Sequence, residues 1–338
     1  MQAINALGAR TVRHFIHLYD VLKDPYTVNE EALAVHRDIV EKAYENGIEV
    51  IGQSHKHFNG YKGDSIAVPE RDMTEGSAYI EFLLLYEQSW YTMVREFPEI
   101  TYWEIGNEWN NDVFMHPFDY NEKGTVYTFS EKADIATDML YYASRGIKRA
   151  NPDAVTMMGG LVDFEKTGWG NAKGFLKIIY ENIASGDWPS PNPDDYFETL
   201  GWHPYNHDAV WSDSWVTHNI EIYELIKEYE GHDKPIFFTE MGYSDHGDPE
   251  KEAHRAELLK KTMNVIKEEM PFVKCVCWFR LYNDQSAYGW APASAEMEAN
   301  FGLFTEPDKD GYFSPKLTGK AYQELTGSTS DLEQFSHD

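Results

Sequence analysis

Short apolar runs alternate with longer amphipathic segments along nearly the whole chain. The runs are rich in aromatic and β-branched residues, which is typical of buried strands of about 4–8 residues. They lie at 11–18, 48–53, from 101 onward, and at 154–162, 199–205, 235–241 and 273–281. The segments between them predict helices at 29–45, 77–97, 130–150, 172–185, 216–230, 249–269 and 316–326.

This regular alternation predicts an α/β fold with a parallel sheet, and closure into a (β/α)8 TIM barrel is the leading arrangement. Residues 1–10 read as the end of a helix, with Gly8 near its C-terminal cap, so seven strands are visible and the first barrel strand is missing. Either the N-terminus is truncated or another segment fills the gap, because unpaired strand edges are costly. With no linker or composition break, we predict a single barrel domain over 1–338.

Two of the predicted strands end in residues that a hydrophobic core does not need. The stretch TYWEIGNEWN begins at Thr101 and contains Asn107 and Glu108. The stretch PIFFTEMGY begins at Pro235 and reaches Glu240. Because the carboxyl ends of parallel strands share one rim of a barrel, we expect the two acids to face each other there. Glycoside hydrolysis needs such a pair, one acid to protonate the leaving oxygen and one carboxylate to attack or to activate water.

The chain is strongly acidic. Its 338 residues include 57 acids against 29 bases, which gives a formal net charge of -28. Such a surface repels nucleic acid and anionic membranes, and it fits a neutral substrate. No apolar run is long enough to span a bilayer, and the N-terminal residues do not read as a signal peptide, so the compartment stays open.

The two cysteines, Cys275 and Cys277, lie two residues apart on the last predicted strand. Side chains at this spacing point to the same face of a strand. We do not expect a disulfide between them, and we interpret both as small buried apolar residues.

The ordered set of strand-end residues resembles the retaining glycoside hydrolases of clan A, and families 5 and 39 carry the closest patterns. Those proteins are (β/α)8 barrels with an acid/base glutamate after strand four and a nucleophilic glutamate at the end of strand seven. With strand one missing, Glu108 matches the acid/base and Glu240 matches the nucleophile. The resemblance implies a substrate site formed by Arg13, His55, His57, Asn107, His203, Tyr205 and Trp278.

The same resemblance implies a retaining β-glycosidase that cleaves a poly- or oligosaccharide through a glycosyl-enzyme and needs no cofactor. Glu108 must then hold its proton, so its pKa must be raised, whereas Glu240 must stay ionised. Arg13 and Tyr205 offer a charge and a hydrogen bond that favour the anion of Glu240.

Other polar and aromatic residues complete the expected site. Asn107 can bond the 2-OH of the sugar, and Trp278 offers a flat apolar face to the sugar ring. Glu104 is predicted to be a buried ion-pair partner of Arg13. The loop after the 154–162 strand supplies Asp163 and Glu165, predicted to be solvated, and the rim aromatic Trp169.

Two other functions fit parts of this pattern. A barrel of this kind could bind glycans without cleaving them, although the presence of both acids argues against that alternative. A metal-dependent barrel hydrolase could use His55 and His57, which form an HxH pair after a strand, together with His203.

Overall fold

The computed structural model describes residues 1–59, 61, 64–163, 171–206, 211–291, 293–333 and 335–336. Glu165 and Trp169 lie outside these described residues. The centre of the fold is a parallel sheet whose seven strands follow one another in chain order. The strands are β1 (Thr11–Phe15), β2 (Glu49–Ser54), β3 (Tyr102–Ile105), β4 (Val155–Asp163), β5 (Thr199–Pro204), β6 (Ile236–Met241) and β7 (Val273–Trp278).

Helices connect these strands and cover the outside of the sheet, as the sequence pattern predicts. Their bounds are Gln2–Ala6, Leu18–Val21, Glu30–Glu45, Ala78–Val94, Tyr120–Lys123, Phe129–Ala150, Ala172–Ser185, Asp213–Glu230, Pro249–Glu269, Ala287–Trp290, Ala295–Glu298 and Leu317–Thr326, with a 3-10 turn at Pro193–Asp195. The helix Phe129–Ala150 begins with a reciprocal capping box between Thr128 and Glu131. The four-residue helices were not predicted, because one helical turn leaves no readable hydrophobic period.

Two short antiparallel strand pairs accompany the barrel, and the sequence pattern predicted neither of them. They pair Leu22–Asp24 with Thr27–Val28, and Tyr312–Phe313 with Phe335–Ser336. Strands of two or three residues carry too little alternation to be recognised. Within the described residues, no helix combines the length and apolar character that crossing a bilayer demands.

The sheet curves into a barrel that stays open along one line, between β1 and β7, which we call the seam. Each strand pairs with the next one in the chain, but in the described part of the chain no backbone ladder joins β1 to β7. The prediction of a barrel with seven strands and a gap beside the first is therefore confirmed. The prediction of one catalytic domain over 1–338 stays a prediction.

The strands beside the seam are less covered than the others. Every residue of β5 and of β6 is buried, whereas no residue of β1 or β7 is. The interpretation of Cys275 and Cys277 as buried core residues is therefore wrong, because both are only half-buried on β7. Their expected lack of a disulfide is confirmed, since both thiols are free.

The N-terminal helix packs at the outer side of the seam against the end of the chain. Leu7 belongs to a buried cluster with Leu303, and the Thr326 hydroxyl donates to the Leu7 carbonyl over 2.6 Å. Gly8 follows the helix with a φ of +72°, and a Cβ there would lie 2.6 Å from the Thr326 hydroxyl oxygen. Only glycine fits both this conformation and this space, so the prediction of Gly8 at the helix end is confirmed.

Candidate active site

The turn after β3 brings Glu108 to the carboxyl-end rim of the barrel. Gly106 has a φ of +87°, and a Cβ there would lie 2.4 Å from the Trp109 ring. Glu108 itself has a φ of +45°, a conformation that L residues rarely adopt. Its backbone N–H donates to the Gly160 carbonyl on β4 over 2.8 Å. The strained turn is therefore fastened to the neighbouring strand, and it holds the Glu108 carboxyl over the barrel.

A bulge in β6 lets two consecutive residues face the barrel interior. Phe238 pairs with Val276 and Met241 pairs with Trp278, so β6 has one residue more than β7 between these pairs. The Thr239 hydroxyl donates to Glu104 over 2.9 Å, while the neighbouring Glu240 contacts Arg13. Consecutive residues of a regular strand point to opposite faces, so this bulge is what places Glu240 in the site.

Arg13 on β1 reaches across the barrel and connects three other site residues. Its guanidinium donates to the carboxylates of Glu104 and Glu240, and its Nη2 donates to the Asn107 Oδ1 atom over 2.8 Å. Burial acts to lower the pKa of Arg13, but the charges of Glu104 and Glu240 raise it above its ordinary value. The predicted ion pair between Arg13 and Glu104 is present, and the guanidinium stays charged.

Glu240 lies between two donors. The Tyr205 hydroxyl donates to its Oε2 atom over 3.0 Å, and Arg13 donates to its Oε1 atom. Burial raises the pKa of Glu240, while the Arg13 charge and the Tyr205 hydrogen bond oppose that rise. Both predicted contacts of Glu240 are thus present, and both favour its ionised form.

Among the described residues, Glu108 has a histidine as its partner and no cation in hydrogen-bonding contact. The His203 Nδ1 atom lies 2.8 Å from the Glu108 Oε1 atom. Burial raises the pKa of Glu108, and the His203 contact would oppose this rise only if the Nδ1 atom carried the proton. Burial also lowers the pKa of His203, so this imidazole is neutral at neutral pH.

The hydrogen-bond chain behind His203 sets which of its nitrogens carries the proton. The Thr239 hydroxyl gives its single proton to the Glu104 carboxylate, so it can only accept from the His203 Nε2 atom, 3.1 Å away. A neutral His203 with its proton on Nε2 presents a lone pair at Nδ1. The contact between Nδ1 and Glu108 is then a hydrogen bond only when Glu108 carries a proton.

The two acids lie close enough to act on one bond. An oxygen of Glu108, an oxygen of Glu240 and a nitrogen of His203 all lie within 4.8 Å of one another. A cavity of about 420 Å³ adjoins Glu240 and Arg13 and extends along the seam. The expected convergence of the two strand-end acids is therefore present in the structure.

Trp278 is the last residue of β7, and its neighbour Phe279 follows directly after the strand. Both line the cavity beside Glu240. The Trp278 indole N–H donates to the Phe301 carbonyl over 3.1 Å, and its ring packs against Tyr243. Phe279 instead packs edge-on to Tyr205, with ring centroids 6.5 Å apart. Sequence analysis did not single out Phe279, because its ring contact with Tyr205 joins two distant parts of the chain.

His55 and His57 do not contact the two acids. The His57 Nδ1 atom lies 3.0 Å from the Phe58 carbonyl, while the His55 ring packs against Phe114 at 5.4 Å. Burial lowers the pKa of His55 to about 3. The described residues contain two groups of three or more His, Cys, Asp or Glu side chains that could hold a metal ion, Glu108–His203–Glu240 and Asp194–Glu230–His232. His55 and His57 belong to neither, so the predicted His55, His57 and His203 ligand set does not come together.

The prediction that Asp163 is a solvated loop acid is wrong. Asp163 is the last residue of β4, it is buried, and its carboxylate bonds to the His218 Nε2 atom. A partner 55 residues away cannot be recognised from local sequence. Sequence analysis also did not single out Thr239, whose hydroxyl donates to Glu104, 135 residues away in the chain.

The arrangement of acids on a (β/α) barrel matches a known family. The family model described as Cellulase (glycosyl hydrolase family 5) matches residues 1–281. The chain belongs to glycosyl hydrolase family 5. The predictions of a clan A barrel and of the glycosyl hydrolase class are thereby confirmed. No curated protein matches the chain in sequence.

Solved structures of related barrels share the family 5 fold at low sequence identity. A family 39 glycoside hydrolase from Bacteroides cellulosilyticus WH2 is 18% identical with a TM-score of 0.64, over 98% of this chain and 60% of that one. A GH5_18 protein from Bifidobacterium longum subsp. infantis is 16% identical with a TM-score of 0.60, over 98% and 72%. A xyloglucan-specific endo-β-1,4-glucanase from a metagenomic library, in complex with cellotriose, is 15% identical with a TM-score of 0.59, over 96% and 86%. The chain thus spans less than two thirds of the family 39 protein.

Proposed function

We propose that this chain is a retaining β-glycosidase that cleaves a neutral β-linked poly- or oligosaccharide by double displacement. The observation that carries the proposal is the placement of Glu108 and Glu240, with carboxylate oxygens within 4.8 Å of each other. Retaining enzymes hold their two carboxyl groups about 5–5.5 Å apart, whereas inverting enzymes need about 6.5–9.5 Å to admit a water. Family 5 membership supports the same reaction class.

In this proposal Glu240 is the nucleophile. It attacks the anomeric carbon, the glycosidic bond breaks, and a glycosyl-enzyme forms. Arg13 and the Tyr205 hydroxyl hold the attacking carboxylate in its ionised form and fix its direction. Water later attacks the same carbon from the opposite side and releases Glu240 again.

Glu108 is the acid and then the base. It gives its proton to the departing glycosidic oxygen, and in the second step it accepts a proton from the attacking water. The neutral His203, with its lone pair at Nδ1, favours the protonated form of Glu108 before the first step. The two acids therefore start in opposite protonation states because their hydrogen-bond partners differ.

Substrate positioning falls to residues around this pair. Asn107 is fixed through its Oδ1 atom by Arg13, so its amide group can donate to a sugar hydroxyl. Phe279 and Trp278 line the cavity and offer apolar ring surface to the sugar. His55 and His57 lie outside the contacts of the acid pair and are proposed as residues of the outer substrate site. The whole of 1–338 acts as one catalytic domain that needs no cofactor.

The test is the stereochemistry of azide products from two alanine variants with an activated aryl β-glycoside. In Glu240→Ala, azide attacks the vacated face, and the glycosyl azide has inverted configuration. In Glu108→Ala, the glycosyl-enzyme still forms but lacks its base, and azide gives a product of retained configuration. NMR of the anomeric proton distinguishes the two products.

A third variant controls for general damage to the fold. Glu198→Gln removes a carboxylate from the start of β5, where it pairs with Lys148 on the outer helix Phe129–Ala150, and it should keep most of the activity. The reverse azide pattern would exchange the two roles. Absence of turnover by the unaltered chain on every aryl β-glycoside and β-glycan offered would favour the glycan-binding barrel instead.

A further inference from the structure

The barrel interior holds a pair of thiols for which the proposed hydrolysis has no role. Cys275 and Cys277 occupy alternate positions of β7, so both side chains point to the same face of the strand. They pack beside Ile51, Met157 and Phe237, whose side chains fill the barrel interior. Both cysteines are free, and their Sγ atoms lie 4.0 Å apart.

The seam gives these thiols access to solvent. Interior residues of the enclosed strands, such as Met157 and Ile51, are fully buried, but Cys275 and Cys277 are half-buried. Cys277 lines the cavity of about 420 Å³ that extends along the seam, together with Val12 on β1. A small solute in this cavity can therefore reach Cys277 without the barrel opening, and Cys275 lies next to it on the same face of β7.

We propose that Cys275 and Cys277 bind one soft divalent metal ion of the Zn²⁺ or Cd²⁺ class as a pair of thiolates. Thiolates are the ligands that such ions prefer. Two sulfur atoms bound to one Zn²⁺ at about 2.3 Å with tetrahedral angles stand about 3.8 Å apart. The observed separation of 4.0 Å is close to this value, so little rearrangement of the strand is needed.

The binding step balances in charge and in protons. Each thiol releases its proton to solvent, each sulfur forms one bond to the ion, and water molecules fill the remaining positions. The two negative sulfurs neutralise the divalent charge, which makes the site compatible with the nearby Arg13 guanidinium. The hydrogen bond between the thiols lowers the pKa of Cys275 and raises the pKa of Cys277. The ion must therefore displace a firmly held second proton, and binding strengthens as the pH rises.

The oxygen- and nitrogen-rich clusters of the described chain are poorer sites for such an ion. In Glu108–His203–Glu240, the Glu240 carboxylate already bonds to Arg13. In the second cluster, Lys234 lies 2.6 Å from Glu230 and 3.1 Å from Asp194. A bound cation in either cluster would have to displace a protein cation first.

The experiment is a titration of the unaltered chain with Cd²⁺, followed by the ultraviolet charge-transfer absorption that cadmium thiolates show. We expect the absorption to saturate at a single ion per chain, with release of protons. Cys275→Ser and Cys277→Ser should each weaken binding by roughly 10-fold or more, because each removes one ligand. The double serine variant should lose the absorption altogether. His232→Gln, which changes the Asp194–Glu230–His232 cluster, is the matched control and should leave the titration unchanged.

A second measurement needs no variant and so does not depend on how the serine substitutions fold. Zn²⁺ should protect both thiols of the unaltered chain from alkylation together, as read by mass spectrometry. An absorption that survives in the double serine variant, or unchanged alkylation of both thiols in saturating Zn²⁺, would overturn the proposal.

Discussion

The five strands with neighbours on both edges and the two strands beside the seam differ more in burial than in sequence. The residues of β6, IFFTEM, are all buried, but those of β7, VKCVCW, are all at least partly exposed. Both strings are largely apolar, so composition does not cause the difference. A strand becomes fully buried only where both of its edges and both of its faces are covered. The comparison shows that burial on this barrel is set by the neighbours of a strand.

The two acids of the site also differ in this respect, because one is held by enclosed strands and the other by a strand beside the seam. Glu108 is held by Gly160 and His203, which both belong to enclosed strands. Glu240 depends on Arg13, which comes from β1 beside the seam. Arg13 also fastens β1 to Glu104 on β3, across the interior of the barrel. The seam strand that lacks a neighbour on one edge is thus tied to the sheet through the same side chain that serves Glu240.

The largest effect is expected from Arg13→Ala. The substitution leaves the carboxylates of Glu104 and Glu240 buried without their cation, which costs about 3–5 kcal/mol of the free energy of unfolding. Activity should fall with it, because Glu240 loses the charge that keeps it ionised. Urea unfolding and kcat with an activated aryl glycoside measure the two consequences.

Arg37→Ala is the matched control for this loss. Arg37 also pairs with two carboxylates, Glu30 and Glu96, but its side chain is 41% exposed. An exposed pair contributes about 0–1 kcal/mol. If Arg13→Ala destabilised the chain no more than Arg37→Ala does, the role of Arg13 as a tie across the barrel would be refuted.

An intermediate effect is expected when a valine is replaced by alanine on an enclosed strand and, for comparison, on a strand beside the seam. Val50 on β2 is fully buried, whereas Val276 on β7 is half-buried. Val50→Ala should cost about 1.5–3 kcal/mol of unfolding free energy, and Val276→Ala roughly half of that, because the loss follows the apolar area removed from water. Chemical denaturation of both variants measures the difference. Equal losses would mean that the seam is closed in solution.

The elements and the acid pair could be predicted because their signals are local. Strand and helix periods, the capping residues and the runs ending at Glu108 and Glu240 lie within a few residues of chain. Barrel topology then brings the strand ends to one rim, so the meeting of the two acids follows from the order of strands. The contacts of Glu240 with Arg13 and Tyr205 were expected from the resemblance to clan A.

The features that could not be predicted depend on strand register and on contacts between residues that are far apart in the sequence. The bulge in β6 turns both Thr239 and Glu240 inward, which strict alternation forbids. The pairing of Asp163 with His218 arises only when a helix packs against the end of β4. Each of these features is decided by tertiary packing, and the sequence near these residues does not predict it.

The smallest effect is expected at Glu108, whose hydrogen-bond partners lie on the enclosed strands. Thr239→Val removes the hydroxyl that holds the proton of His203 on Nε2, so the imidazole becomes free to carry it on Nδ1 and donate to Glu108. That contact favours the carboxylate, so the pKa of Glu108 falls. A single hydrogen bond is worth about 0.5–1.5 kcal/mol, which corresponds to about 0.5–1 pH unit.

Glu108 acts in its protonated form, so a lower pKa moves the alkaline limb of the profile of kcat/KM against pH to lower pH. The acidic limb reports the ionisation of Glu240, whose partners Arg13 and Tyr205 are untouched, and it should stay in place. Thr262→Val is the matched control, because Thr262 is equally buried and its hydroxyl lies 2.8 Å from that of Tyr243, its one side-chain partner in the described part of the chain. We expect that variant to leave both limbs unchanged.

A Thr239→Val profile that shifts on the acidic side, or on neither side, would contradict the proposed hydrogen-bond chain from Glu104 through Thr239 and His203 to Glu108. A shift of the alkaline limb alone would show that the enclosed strands control one acid and the seam strand the other.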